Sequence, residues 1–293
     1  MKHEFFVDCV TQAVGMGFRR FNLTPCTGDI FMDRGIFRKL EFLESNAQVD
    51  SFEFFTNFTI LKPKDIEQLT KLQKLKSVVL SIYGHDLETF MAITKSTEKV
   101  YHRLVANLET LLGLIHQKKF HLEIAVRSTM SVPRNGSSAL MRGLRRFENA
   151  GIRVHKSGGL YNNWGGYITQ DDVQGLQMRI GDGTDVHKNG ACTLLLTTVQ
   201  VLASGMVNGC ACRDVDATLQ IGDLNKAPLR EIISRDNAIY MQLIDEQQEG
   251  RFRPICKSCD FYQSIYHRRR SYARSGLQTH SLAEFKAELN SNR

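Results

Sequence analysis

Along the first 156 residues, apolar and polar positions alternate between a helical period and a strand period, the pattern of repeated α/β units around a parallel sheet. Phe5, Val7, Val10 and Val14 mark a helical stripe, and after Gly17 a strand is predicted over 18–24. Asp33 precedes a predicted helix reaching 46, and 51–56 reads as a second strand. A helix over 64–72 leads to a third strand over 76–82, whose Val78-Val79-Leu80 run is the uninterrupted apolar stretch of a strand buried in a parallel sheet. A long amphipathic helix is expected over 97–118, a fourth strand over 121–129, a helix over 137–150 and a fifth strand over 152–156.

The alternation stops at Ser157, where a glycine- and asparagine-rich loop over 158–166 carries the single tryptophan, Trp164. A second, smaller domain is expected from about Asp171. Within it a strand over 194–203, turn chemistry at Ser204-Gly205 and a returning strand over 206–212 predict a hairpin. Ala227-Pro228 opens a short helix through 233, proline being tolerated in a first turn, and a charged segment follows. A last helix over 281–289 is capped by Ser281. The expected domains are 1–170, 171–275 and a terminal helix and tail over 276–293.

With 293 residues and 42% hydrophobic content, the chain builds a substantial core, which excludes disorder for most of its length. No apolar stretch approaches the roughly 18 residues of a membrane-spanning helix. Met1-Lys2-His3-Glu4 includes an acid and no long apolar segment follows, so a cytoplasmic protein without a membrane partner is expected. Lys and Arg total 38 against 31 Asp and Glu, giving +7, a mildly basic surface. One dense cluster, His267-Arg268-Arg269-Arg270 with Tyr266, Tyr272 and Arg274, could grip phosphate or stack on a base, and equally suits the outer face of a helix.

Seven cysteines, an odd number, argue against a disulfide framework and toward metal or thiol chemistry. Cys9 and Cys26 stand alone, while Cys192, Cys210, Cys212, Cys256 and Cys259 gather in the second domain. Cys256-Lys257-Ser258-Cys259 is a CxxC pair, a spacing that lets two thiolates meet one metal or cluster from a single turn of backbone. A thioredoxin-like redox pair would need a strand-to-helix setting that this segment lacks. Cys210 and Cys212, two apart on a predicted strand, lean to one face. Soft thiolates hold tetrahedral zinc or an iron–sulfur cluster equally well, so ligand chemistry leaves both open.

Written out, the pattern is Cys192, twelve residues, Gly205, four residues, Cys210, then the distant Cys256-x-x-Cys259. It resembles the short, twitch-type form of the SPASM auxiliary-cluster domain found C-terminal to radical S-adenosylmethionine enzymes. Ile221-Gly222-Asp223-Leu224 followed by Pro228-Leu229-Arg230-Glu231-Ile232 resembles the segment that joins the two halves of that domain. The resemblance implies one auxiliary [4Fe–4S] cluster on Cys192, Cys210, Cys256 and Cys259, with Cys212 an extra thiol able to replace Cys210. No cysteine follows Cys259, so a second cluster is not expected.

For the front half the resemblance implies a partial (β/α)6 barrel of the radical S-adenosylmethionine type and a small α+β domain after it. Gly28-Asp29, in Thr24-Pro25-Cys26-Thr27-Gly28-Asp29, falls where the family has its glycine–glycine–glutamate motif for the ammonium group of S-adenosylmethionine. Thr56-Asn57 resembles the family's threonine–asparagine–glycine turn, with Phe58 in place of the glycine. Ser81 and Arg127 match positions that touch the cofactor's ribose and carboxylate, and Asn163-Trp164-Gly165-Gly166 lies where related proteins close over the substrate. The implied partners are a small-molecule or peptide substrate and an electron donor protein, not a nucleic acid.

The family reduces its cofactor through a cluster on a CxxxCxxC loop, and that spacing occurs nowhere in these 293 residues. The barrel is therefore expected to lack its first strand, and the radical step is expected of an intact parent. Two other readings remain: a non-catalytic relative that holds a cluster for a partner, and a zinc-stabilised α/β protein whose basic tail binds nucleic acid.

Overall fold

A computed structural model describes residues 1–129, 132–133 and 135–266. The basic cluster from His267 and the helix expected over 281–289 lie outside these residues. The chain divides into two compact units, one of Met1–Tyr161 with Gln170–Arg179, the other of Asn162–Thr169 with the residues from Ile180 on.

The first unit is built on a five-stranded parallel sheet in the order β1 (Arg20–Asn22), β2 (Ser51–Thr56), β3 (Leu75–Tyr83), β4 (His121–Ser128) and β5 (Arg153–Gly158). Between and before the strands run α1 (His3–Gly15), α2 (Ile36–Ser45), α3 (Pro63–Lys71), α4 (Leu87–Thr94), α5 (Glu98–Gly113) and α6 (Ala139–Asn149). Phe52 and Phe54 of β2, Val78, Leu80 and Ile82 of β3, and Leu122, Ile124 and Val126 of β4 join Leu40, Leu104, Leu144 and Phe147 of the helices in one apolar core. The alternate residues, Glu53 and Phe55, Ser77, Val79, Ser81 and Tyr83, Glu123, Ala125 and Arg127, take the other face of the sheet and are half-buried or exposed. Val79 is thus less buried than its apolar run suggested: the sheet covers one face with helices and leaves the other largely polar.

The helices begin and end where local chemistry dictates. Lys62 precedes Pro63 at the first turn of α3, and Asp65 accepts a hydrogen bond from the Lys62 amide. The sequence reading missed α4, which starts at a reciprocal cap in which the Asp86 carboxylate accepts from the Thr89 amide at 2.8 Å and hydroxyl at 2.6 Å. It closes at Lys95, a residue in the left-handed conformation with φ 53°.

The strands β6 (Leu160–Tyr161) and β7 (Arg179–Ile180) form a short ribbon. In the second unit β8 (Gln200–Val201), β9 (Met206–Asn208) and β10 (Gln220–Asp223) make an antiparallel sheet in the order β10-β9-β8. The expected hairpin turn is present, with Leu202 N donating to Met206 O and Gly205 at φ 98°. A Cβ at Gly205 would lie 2.2 Å from Asn225 Nδ2, which donates to Ser204 O, so only glycine fits that turn.

The long strand expected over 194–203 is not formed. Its first part is a single helical turn, α7 (Thr193–Thr197), and only β8 remains extended. The threonines decide this: Thr193 donates through its amide and hydroxyl to Gln263 O, and the Thr197 and Thr198 hydroxyls bond back one turn to Thr193 O and Leu194 O. The return strand likewise stops at Asn208, four residues short of Cys212. Beyond it lie α8 (Leu229–Ile232), α9 (Ala238–Gln248) in the segment read only as charged, and α10 (Pro254–Ser258). Among the described residues no helix is long and apolar enough to cross a membrane.

Candidate functional site

Cys192 sits at the start of α7, and the chain around it is stitched to residues 262–265 of the same unit. An isolated antiparallel bridge joins Cys192 to Ser264, Thr193 N donates to Gln263 O, and Ile265 N donates to Ala191 O at 3.0 Å. Tyr262 adds its hydroxyl to the carbonyls of Asn189 and Gly190. This pairing carries Cys192 to Cys256 and Cys259, more than sixty residues away in sequence. Proline at the first turn starts α10, which holds Cys256, and Cys259 follows at its end. Gly183 packs against that end so closely that a Cβ would lie 1.8 Å from Ser258 O. Asn163 ties the loop of Trp164 to the same place, donating from Nδ2 to Ser258 O at 2.6 Å and from its amide to Asp260 Oδ2 at 2.9 Å.

Cys192, Cys210, Cys212, Cys256 and Cys259 all line one open cavity. Its other walls are mostly apolar, including Leu195, Leu219, Ile255 and Phe261, and among the described residues its lining contains no carboxylate and no imidazole. None of the seven cysteines is joined in a disulfide. Among the described residues, no three His, Cys, Asp or Glu side chains converge closely enough to hold a single metal ion; the thiols stand around a space. Thiol donors alone, in an apolar wall, suit the soft ligation of an iron–sulfur cluster or zinc.

Groups behind the thiols hold them in place. Gln247 of α9 is buried, accepts from the Cys192 amide at 2.8 Å and donates from Nε2 to Cys256 Sγ at 3.3 Å. The Arg213 amide donates to Cys210 Sγ at 3.4 Å, and the Phe261 amide to Cys259 Sγ at 3.3 Å. Burial, aided by the neighbouring cysteines, pushes the Cys256 and Cys259 thiols up to about 12, and burial also raises Cys192. At neutral pH these thiols therefore hold their protons until a metal displaces them. The lone Cys9, in α1, is raised by burial to about 11 and lies apart in the first unit.

The residues expected to hold S-adenosylmethionine lie at the C-terminal ends of the parallel strands, the usual ligand edge of such sheets. Gly28, at φ 83°, and Asp29 follow β1; Asn57 follows β2; Ser81 and Arg127 lie near the ends of β3 and β4. Asp29 is buried and already engaged: Oδ1 accepts from the Phe31 amide at 3.0 Å, and Oδ2 accepts from the Thr56 hydroxyl at 2.9 Å and the Asn57 amide at 2.8 Å. It thereby joins the loops after β1 and β2. Phe58 adopts φ 62° in the place of the family's glycine, its ring buried and its carbonyl held by Asn107 Nδ2 at 2.9 Å. Ser81 and Arg127 share the polar face of the sheet. Arg127 lies 6.0 Å from the centre of the Tyr83 ring and has a buried Nη1 with no hydrogen-bond partner among the described residues.

Two groups escaped the sequence reading. Gln247 is one, a glutamine in a helix with nothing in the sequence to set it apart. His85 is the other: its Nδ1 pairs with Ser128 Oγ at 2.7 Å, its Nε2 lies 3.5 Å from Asp86 Oδ2, and its carbonyl accepts from Ser138 Oγ at 2.6 Å. Serine, histidine and aspartate stand in line there, but Ser128 is fully buried, so the row braces the ends of β3 and β4 and offers no nucleophile.

Residues 192–260 match the SPASM domain, an iron–sulfur cluster-binding domain. No curated protein matches the chain in sequence. The fold is similar to the crystal structure of BtrN in complex with AdoMet and 2-DOIA, with a TM-score of 0.53 and 13% identity over 89% of this chain and 80% of that one. It is also similar to histidine-tagged anSMEcpe with bound AdoMet, with a TM-score of 0.51 and 14% identity over 99% of this chain and 87% of that one. Native anSMEcpe with bound AdoMet and the Kp18Cys peptide gives a TM-score of 0.51 and 14% identity over 99% of this chain and 88% of that one.

Proposed function

We propose that this chain, which carries a SPASM domain on the fold of the radical S-adenosylmethionine enzymes, holds one auxiliary [4Fe–4S] cluster on Cys192, Cys210, Cys256 and Cys259. The observation that carries the reading is the ring of thiols around one cavity, free of carboxylate and imidazole among the described residues and backed by N–H donors to three of the sulfurs. Cys212 lines the same cavity and is the fifth thiol. A cluster there supplies one-electron chemistry, and the protein's own share is to hold four sulfurs, donate hydrogen bonds to them and keep the walls apolar.

On the first unit, Gly28, Asp29, Asn57, Ser81 and Arg127 are the residues that would face S-adenosylmethionine. Asp29 retains acceptor capacity beyond its three bonds for an ammonium group, and the spare Nη1 of Arg127 suits a carboxylate. The structural neighbours were solved with AdoMet, and with 2-DOIA or a peptide beside it, which favours a small-molecule or peptide substrate modified by hydrogen abstraction. We assign reductive cleavage of the cofactor to an intact form that carries a CxxxCxxC loop, a spacing absent from these residues, with a protein electron donor.

The test is iron, sulfide and zinc per chain after anaerobic reconstitution, with absorption near 400 nm. About four irons with matching sulfide are expected. Cys256→Ala or Cys259→Ala should abolish most of that content, and Cys9→Ala should leave it unchanged. About one zinc without iron, or full iron in both CxxC variants, overturns the assignment.

A further inference from the structure

We propose that Arg213, a guanidinium held between Trp164 and Phe261, is a positioning residue that raises the reduction potential of the cluster on the neighbouring cysteines; this rests on the cluster reading above. Among the described residues, Arg213 is the only charged side chain lining the cysteine cavity. Its guanidinium carbon lies 4.6 Å from the centre of the Trp164 ring and 4.4 Å from that of Phe261, within cation–π range of both. Nη1 donates to Cys212 O at 3.3 Å, and Nε is buried without a partner among the described residues. Among the described residues no carboxylate pairs with it, so two rings and a carbonyl fix a positive charge that no acid there neutralises.

The cause of that arrangement is visible on both sides of the side chain. Trp164 sits at φ 52° and is followed by Gly165 and Gly166, both also at positive φ, in the loop that Asn163 anchors to Ser258 and Asp260. Phe261 follows the CxxC pair closely and gives its amide to Cys259 Sγ. The same short segments that place the thiols therefore place the rings, and the rings place the charge.

A cluster on four thiolates gains one negative charge when it takes up one electron. A fixed cation in an apolar wall favours that more negative state, because screening there is weaker than in water. If the stacked Arg213 served packing alone, replacing it with an apolar side chain of similar length would leave the potential where it was.

The experiment compares full-length wild type, Arg213→Met, Arg213→Lys and Trp164→Leu after anaerobic reconstitution. Iron and sulfide are measured first, then the reduced-cluster EPR signal is followed through a dithionite titration. With iron content unchanged, the midpoint of Arg213→Met should move to more negative potential, Arg213→Lys should lie between it and wild type, and Trp164→Leu should move the same way by less. An unshifted midpoint in iron-loaded Arg213→Met overturns the proposal. Should Arg213→Met load too little iron to titrate, Trp164→Leu decides, a negative shift supporting the proposal and a wild-type potential overturning it. Wild-type protein without iron fails the cluster reading itself, and the iron assay shows this before any potential is read.

Discussion

The difference between a ligand and the residue that holds it is sharpest at Gln247. Its carboxamide is buried and uses both ends, the oxygen for the Cys192 amide and the nitrogen for Cys256 Sγ, so one side chain spans two thiol-bearing segments that are distant in sequence. Replacing it with an apolar side chain leaves the Cys192 amide without its acceptor in an apolar setting, a loss of roughly 1–3 kcal/mol. Gln247→Leu should therefore lower the stability of the metal-free protein in urea and speed the loss of iron to a chelator. Gln247→Glu keeps an acceptor for Cys192 and removes the N–H donor to Cys256, so it should release iron faster than wild type. Equal iron release by Gln247→Glu and wild type would show that the N–H···S bond does not matter. Composition and spacing named the five cysteines because thiol chemistry is written in the residue type. A glutamine becomes part of the site only through the fold, and nothing in the sequence of α9 distinguishes Gln247 from Gln242 or Gln248.

At the scale of elements, legibility followed the length of the hydrophobic pattern. The alternation over β2, β3, β4 and the helices α2, α3 and α6 was readable because each repeats its period several times against one continuous core. Short elements that owe their state to a cap or a single distant carbonyl were not: α4 depends on the Asp86–Thr89 box, and α7 on Thr193 meeting Gln263 O. The cap at α4 makes a measurable case. Burial acts to raise the Asp86 carboxyl, yet the Thr89 hydroxyl and amide and the His85 charge together outweigh it and hold it below 3.8. A carboxylate lowered in the folded state contributes stability that is complete above its unfolded pKa and is lost as pH falls through the folded value. Asp86→Ala should thus cost about 1 kcal/mol at neutral pH, the usual worth of such a cap, and its deficit against wild type should vanish in acid. A deficit unchanged between neutral pH and strong acid would assign the loss to packing.

For the whole molecule the two units rest on different physics. The first has a continuous apolar core from Val10 to Phe147, with long central strands of nine and eight residues, and needs no ligand to account for its stability. Among its described residues the second has strands of two to four residues and three helices of four or five, together with the longer α9, around scattered buried side chains such as Leu195, Val207, Leu219, Ile221 and Leu243. Five of its half-buried positions are cysteines around a cavity, a place where a domain with a full core would have apolar side chains in contact. In such a unit the free energy of metal binding is free energy of folding. Stripping the metal with a chelator under anaerobic conditions should therefore raise amide hydrogen exchange across 180–266, most of all near Cys192 and Cys256, while β3 and β4 of the first unit keep their protection. Protection of 180–266 that survives metal removal would mean that the hydrogen bonds of Gln247, Thr193 and Ser264 suffice to hold the thiols apart. The cavity would then be a preformed receptacle, and metal would contribute redox chemistry without contributing to the fold.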